Sequence, residues 1–169
     1  APATPTHIEV IKEKYLEAYP SQPLARLIVV CMDPGISVEM CNTALLKEPR
    51  YLGGWLCLIG LYARTQQWRY VEVATRKALE QCAALVSTWG ISLSNVMAEL
   101  WNMKAAAVSN KEECWDAALE VCPGHVPTLL AKARWEASRS DFIAALQVLD
   151  VIPGNHIGET LLFEGQCCV

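Results

Sequence analysis

Apolar residues recur at steps of three and four along almost the whole chain, and Pro, Gly and Asn punctuate the gaps. Strand-like alternation is nearly absent. A first helix is predicted over 7–19, where Ile8, Ile11, Tyr15 and Ala18 share one face. Thr6-His-Ile-Glu9 before it reads as a capping box, and Pro20 and Pro23 end it. Residues 24–32 are short, apolar and rich in β-branched side chains; with Asp33-Pro34-Gly35 as a turn, they are read as one more helix. Further helices are predicted at about 37–48, 50–64, 68–82, 85–108, 110–122, 126–138, 141–151 and 156–166, about ten in all. Ser109-Asn-Lys-Glu112 reads as a second capping box. Short connections require antiparallel hairpins, at about 24–48, 50–82, 85–122 and 126–151. No linker is long enough to divide the chain, so 1–169 is expected to be a single all-α domain.

A period runs through this pattern. Ala44-Leu45 recurs 34 residues later as Ala78-Leu79 and 40 residues after that as Ala118-Leu119. Pro49 follows the first Ala by five residues, and Pro123 follows the third by five. Trp55 and Trp89 are also 34 apart. The segment Trp55-Leu-Cys-Leu-Ile-Gly-Leu-Tyr-Ala63, then Trp68, then Ala78-Leu79, resembles the tetratricopeptide repeat (TPR) family. Trp55, Leu58, Tyr62 and Ala78 match its pattern. Val71 departs from the usual Ala, Thr75 from the usual aromatic, and Ala83 from the Pro. The third copy has Trp115 at the aromatic place and keeps Pro123. The match covers roughly residues 35–155 and is stronger in second helices than in first ones. The six extra residues before Ala118 imply a longer helix near 85–108.

The resemblance implies a degenerate TPR-like α-solenoid, a right-handed superhelical array of hairpins. Each hairpin leaves an apolar face that only its neighbour covers. Ala78 and Ala118 are expected to supply the notches that receive large side chains.

Composition narrows the function classes. Apolar residues make up 53% of the chain and charged residues 19%, against roughly 25% charged in an ordinary domain. That balance leads us to expect apolar surface covered by a partner. The net charge is −4, and Lys and Arg are scattered. No basic stripe is present to neutralise a row of phosphates, which argues against nucleic acid. The longest apolar runs, near Leu27–Met32 and Trp55–Leu61, fall far short of the roughly 20 residues that span a bilayer, and no signal peptide is visible. The expectation is a soluble protein, with the missing initial Met suggesting a fragment or a processed product. Most of the eight Cys sit in apolar helical surroundings, where free buried thiols are the simpler reading. A reducing, cytoplasmic compartment follows as an expectation.

No catalytic constellation stands out, and no cofactor is expected. Gly53-Gly54 opens a helix but lacks the Lys-Ser/Thr of a phosphate loop, and no Gly-x-Ser-x-Gly elbow is present. Cys122 and His125 have a spacing open to zinc, with Cys114 two turns earlier, but no Cys-x-x-Cys pair completes a ligand set; no metal site is expected. His7, His125 and His156 read as solvated turn residues. Adjacent Cys167 and Cys168 read as part of a helix running on.

The resemblance places Gly53, Leu56, Cys57, Gly60 and Arg64 on the concave side of one hairpin. By the same spacing Gly90, Ile91, Ser94 and Met97 line the next, and Leu130, Arg134 and Ser138 the last. Some modules of the family grip a terminal carboxylate with Lys, Arg and Asn; the matching places here hold Leu56, Gly60, Gly90 and Ser94, so that grip is expected to be absent. The function expected is a non-catalytic protein-binding scaffold or adaptor, a subunit of a larger assembly, that holds an apolar or helical segment of a partner. The alternative is a nucleic-acid-binding helical repeat or a helical enzyme domain.

Overall fold

In a computed structural model the described residues are 35–152. The predicted helices over 7–19, 24–32 and 156–166, and the first capping box, lie outside them. Among the described residues there are seven helices and no strand. The chain divides into two compact units, Ala1–Gly90 and Ile91–Val169.

The first unit holds α1 (Val38–Lys47), α2 (Leu52–Arg64) and α3 (Trp68–Trp89). Ser37 caps α1 by accepting a hydrogen bond from the Met40 amide at 3.2 Å, and Pro49 stands just beyond its last turn. Cys41 and Leu45, one turn apart, are the buried residues of α1. They pack with Leu58 of α2, and Ile36, Trp55, Leu61 and Tyr62 close around them. The Trp55 indole N–H donates to the Pro49 carbonyl at 2.7 Å, which ties the turn to α2. Gly54 permits the close approach of the two helices: a Cβ there would lie 3.0 Å from Leu45 Cδ2.

Among the described residues the longest helix is α3, not one over 85–108 as predicted. The expected break near residue 83 does not occur. Val71, Ala74, Thr75, Ala78 and Cys82 form its buried stripe, and the helix runs on to Gly90. There the backbone is left-handed, with φ +62°, and the Gly90 amide closes on the Val86 carbonyl at 2.9 Å. Glycine takes that conformation without a Cβ clash, so the stop lies at Gly90. Thr75, at the family's aromatic place, is fully buried; its hydroxyl turns back to the Val71 and Glu72 carbonyls at 2.8 and 2.9 Å.

The second unit holds α4 (Ser94–Ala105), α5 (Lys111–Val121), α6 (Val126–Ser138) and α7 (Phe142–Leu149). Helix α4 packs on α5 and α6, and α6 packs on α7. One core lies between α6 and α7, made of Leu130, Ala133, Ala145 and Leu149. The other joins Ala105, Cys114 and Trp115 with Trp101, Val108, Ala131 and Trp135. The Trp115 and Trp135 rings meet edge to face, with centroids 6.0 Å apart. The expected capping box at Ser109 is absent. Asn110 takes the cap position without a side-chain bond to the backbone, and its amide instead bonds the Glu113 carboxylate. Glu112 is drawn away to accept from Trp135 Nε1 and Arg139, both at 3.1 Å.

Two internal regularities are visible. The first is a buried pair one helical turn apart, at Cys41 and Leu45 in α1, Gly54 and Leu58 in α2, Ala74 and Ala78 in α3, Cys114 and Ala118 in α5, Leu129 and Ala133 in α6, and Ala145 and Leu149 in α7, and absent from α4. Ala78 and Ala118 are wholly inaccessible, as expected of notch residues. In α1 the phase slips by one residue, so that Leu45 rather than Ala44 is buried. Trp55 and Trp89 are not equivalent either: Trp55 stands near the start of α2, whereas Trp89 is the exposed last residue of α3.

The second regularity is a shared turn. After α2, Gln66 is left-handed at φ +57°; after α6, Ser140 is left-handed at φ +64°. In both turns the next amide, Gln67 or Asp141, reaches back five residues, to the Tyr62 carbonyl at 2.9 Å and to the Glu136 carbonyl at 3.0 Å. An exposed aromatic residue, Trp68 or Phe142, opens the following helix in each case.

Candidate functional site

Leu56, Gly60 and Arg64 fall on one line along α2 at steps of four, with Cys57 beside it. The buried residues of that helix, Gly54, Leu58 and Ile59, lie elsewhere on its surface. Leu56 and Cys57 are half-buried and Arg64 is exposed. A Cβ built on Gly60 would meet nothing within 4 Å, so this line is open at its centre. Gly60→Ala should therefore fit without strain and stabilise the unit by about 0.5–1 kcal/mol, because glycine inside a helix carries an entropic cost. Denaturant unfolding of the variant checks this. Gly53 differs, since a Cβ there would lie 2.8 Å from the Tyr51 ring.

In the second unit Ser94 and Met97 lie one turn apart on α4 and are half-buried. Ile91 precedes the helix and is 45% exposed, so it is not a core residue. Gly90 is the terminator of α3. Arg134 and Ser138 are exposed on α6, but Leu130, which the repeat spacing puts on the same line, is buried against α7. The shape of α6 explains the correction: Leu130, with Ala133, faces Ala145 and Leu149, and leaves Arg134 outside. Leu56, Cys57, Gly60 and Arg64 thus form one set, in the first unit. Ile91, Ser94, Met97 and Arg134 belong to the second unit, Ile91 to Met97 around the start of α4 and Arg134 on α6.

A polar cluster in the second unit is not apparent from the sequence. His125 is not a solvated turn residue; its side chain is only 10% exposed. Nε2 faces Glu99 Oε2 on α4 at 3.2 Å, and Nδ1 meets the Thr128 hydroxyl at 2.7 Å. Beside it Cys122 Sγ donates to Asn95 Oδ1 at 3.2 Å. Asn95 and Glu99 are one turn apart on α4, so the turn between α5 and α6 is fastened to that helix at two points. The order carboxylate, imidazole, hydroxyl resembles a nucleophile relay, but Thr128 is fully buried, and no substrate atom can reach its Oγ1. The arrangement works as a fastening. Thr128→Val would leave the buried Nδ1 facing a methyl group and should cost about 1–2 kcal/mol, measurable by denaturant unfolding. The contact of His125 with Thr128 is local, three residues along the chain, whereas Glu99 approaches from 26 residues away.

Elsewhere the charged contacts lie at the surface. Lys132 pairs with Asp116 at 2.7 Å and Arg139 with Glu112 at 3.1 Å. Both pairs are partly exposed and join α6 or its end to α5; such pairs contribute little to stability. Cys41, Cys82 and Cys122 are free thiols. Burial, with Cys57 nearby, pushes the Cys41 thiol up to about 11, and burial raises that of Cys82 as well. Neither is primed as a nucleophile near neutral pH. Among the described residues no group of three or more His, Cys, Asp or Glu side chains is arranged to hold a metal ion. None of their helices is long and apolar enough to cross a membrane. No protein-family model matches the chain, and no curated protein matches it significantly.

Proposed function

We propose that this chain is a non-catalytic protein-binding scaffold of degenerate TPR-like hairpins, working as one array over 1–169. Its partner is an apolar or helical segment of another protein, within a larger assembly in the cytoplasm. The observation that carries the reading is the pair of recurring alanines: Ala78 on α3 and Ala118 on α5 have no accessible surface, as the small residues of equivalent second helices would. Residues at the family's groove positions are exposed or half-buried: Leu56, Cys57, Gly60 and Arg64 on α2, Ile91, Ser94 and Met97 at α4, and Arg134 on α6. Small and apolar residues there allow close approach of a partner helix, and the contact buries apolar area rather than pairing charges.

The test is affinity capture from native lysate with the wild-type chain, Leu56→Asp and Ile91→Asp. An unpaired carboxylate in a desolvated contact is costly, so each variant should retain at least about tenfold less partner, equivalent to about 1.4 kcal/mol. Ile91 is exposed, so Ile91→Asp should keep the wild-type helical signal. Retention should also persist at high salt, which screens charge but not apolar burial. Undiminished capture by both folded variants would exclude the groove as the binding surface.

A further inference from the structure

We infer that Cys41 and Cys57 form an oxidisable pair, which a small-molecule disulfide such as glutathione disulfide converts into a covalent staple between α1 and α2. The two helices form an antiparallel hairpin, and a Cβ built on Gly54 would lie 3.0 Å from Leu45 Cδ2. One turn back along α1 from Leu45 is Cys41; one turn on along α2 from Gly54 are Cys57 and Leu58. Cys41, Leu45 and Leu58 make one buried cluster, and Cys57 packs against it. A disulfide needs Cα atoms within about 7 Å, and a glycine contact brings two helices nearer than side chains otherwise allow.

The difference in burial sets the order of events. Cys57 is half-buried and Cys41 is 1% exposed, so the oxidant reaches Cys57 first. The Cys57 thiolate attacks one sulfur of glutathione disulfide, forming a mixed disulfide and releasing one glutathione thiolate. Cys41 then loses its proton to solvent base, and its thiolate attacks the Cys57 sulfur and expels the second glutathione. Two protein thiols are oxidised and one glutathione disulfide is reduced to two thiols. Because burial pushes the Cys41 thiol up to about 11, the second step should quicken about tenfold per pH unit through the neutral and mildly alkaline range.

The experiment incubates the purified chain with glutathione disulfide under native conditions, alkylates the remaining thiols, and maps tryptic peptides by mass spectrometry. The expected product joins peptide 27–47 to peptide 51–64. Peptide 27–47 also contains Cys31, so three variants decide the pairing: the link should vanish in Cys41→Ser and Cys57→Ser and persist in Cys31→Ser. The oxidised chain should also melt about 5–10 °C above the reduced chain, a rise that dithiothreitol abolishes. The inference is overturned if Cys57 keeps glutathione that Cys41 never displaces, if Cys57 pairs with any other cysteine, or if neither thiol is oxidised.

Discussion

Trp115→Ala should destabilise the second unit by about 3–5 kcal/mol, a larger loss than overpacking either of the buried alanines Ala78 and Ala118 should bring. The residue is 5% exposed and fills the space between Ala105, Cys114, Ala131 and the edge of Trp135. Truncation removes that apolar area from the core and leaves a void that helix ends tied by Glu112 cannot close freely. The indole N–H of Trp115 is buried without a hydrogen-bond partner, and such a donor is itself costly. Trp115→Phe discards the unpaired donor while keeping most of the ring, so it should cost much less than the Ala variant. Urea unfolding of both variants, followed by circular dichroism, separates the two effects. Equal losses would mean that packing is not what holds Trp115.

Ala78→Leu and Ala118→Leu should each cost about 1–3 kcal/mol by overpacking. Both residues have no accessible surface, so three added carbons must displace a neighbour. Ala78 lies on α3, which packs against α2, and Ala118 lies on α5, which packs against α4. The control is Ala83→Leu on α3, where the side chain is exposed and the change should fall within about 0.5 kcal/mol. Thermal unfolding of the three variants gives the comparison. Neutral effects at both buried positions would show that the repeat has been assigned the wrong phase.

Most of the helices were legible because their apolar spacing and their breakers agree. The spacing predicts 126–138, and α6 is Val126–Ser138; Pro49 and Pro123 mark the ends of α1 and α5 correctly. The failures have local causes. Between 82 and 94 the chain offers Ala83, Ala84, Val86 and Trp89, all compatible with a helix, and the sole strong stop is Gly90. The break expected between 82 and 85 therefore fell several residues early. The turns at Gln66 and Ser140 contain no glycine, so composition gave no sign of their left-handed residues. At the candidate site, Gly60 faces open space and Ile91 is exposed, whereas Leu130 joined the core because α7 is short and apolar and needs that cover. The link from Glu99 to His125 depends on how α4 meets the turn before α6, and helical periodicity carries no information on such a pairing.

Whether a partner is held at the outward residues of α2 and α4 can be read by site-specific photo-crosslinking. A benzoylphenylalanine placed at Gly60, where added atoms meet open space, and another at exposed Ile91, should each crosslink to a partner polypeptide on irradiation in native lysate. The same group at Lys77 on α3 or Glu120 on α5, both exposed and not among the proposed contact residues, should not. Crosslinks at positions 60 and 91 and none at 77 and 120 are the predicted result. Crosslinks confined to 77 or 120, or none at 60 and 91, would contradict a partner held at α2 and at the start of α4.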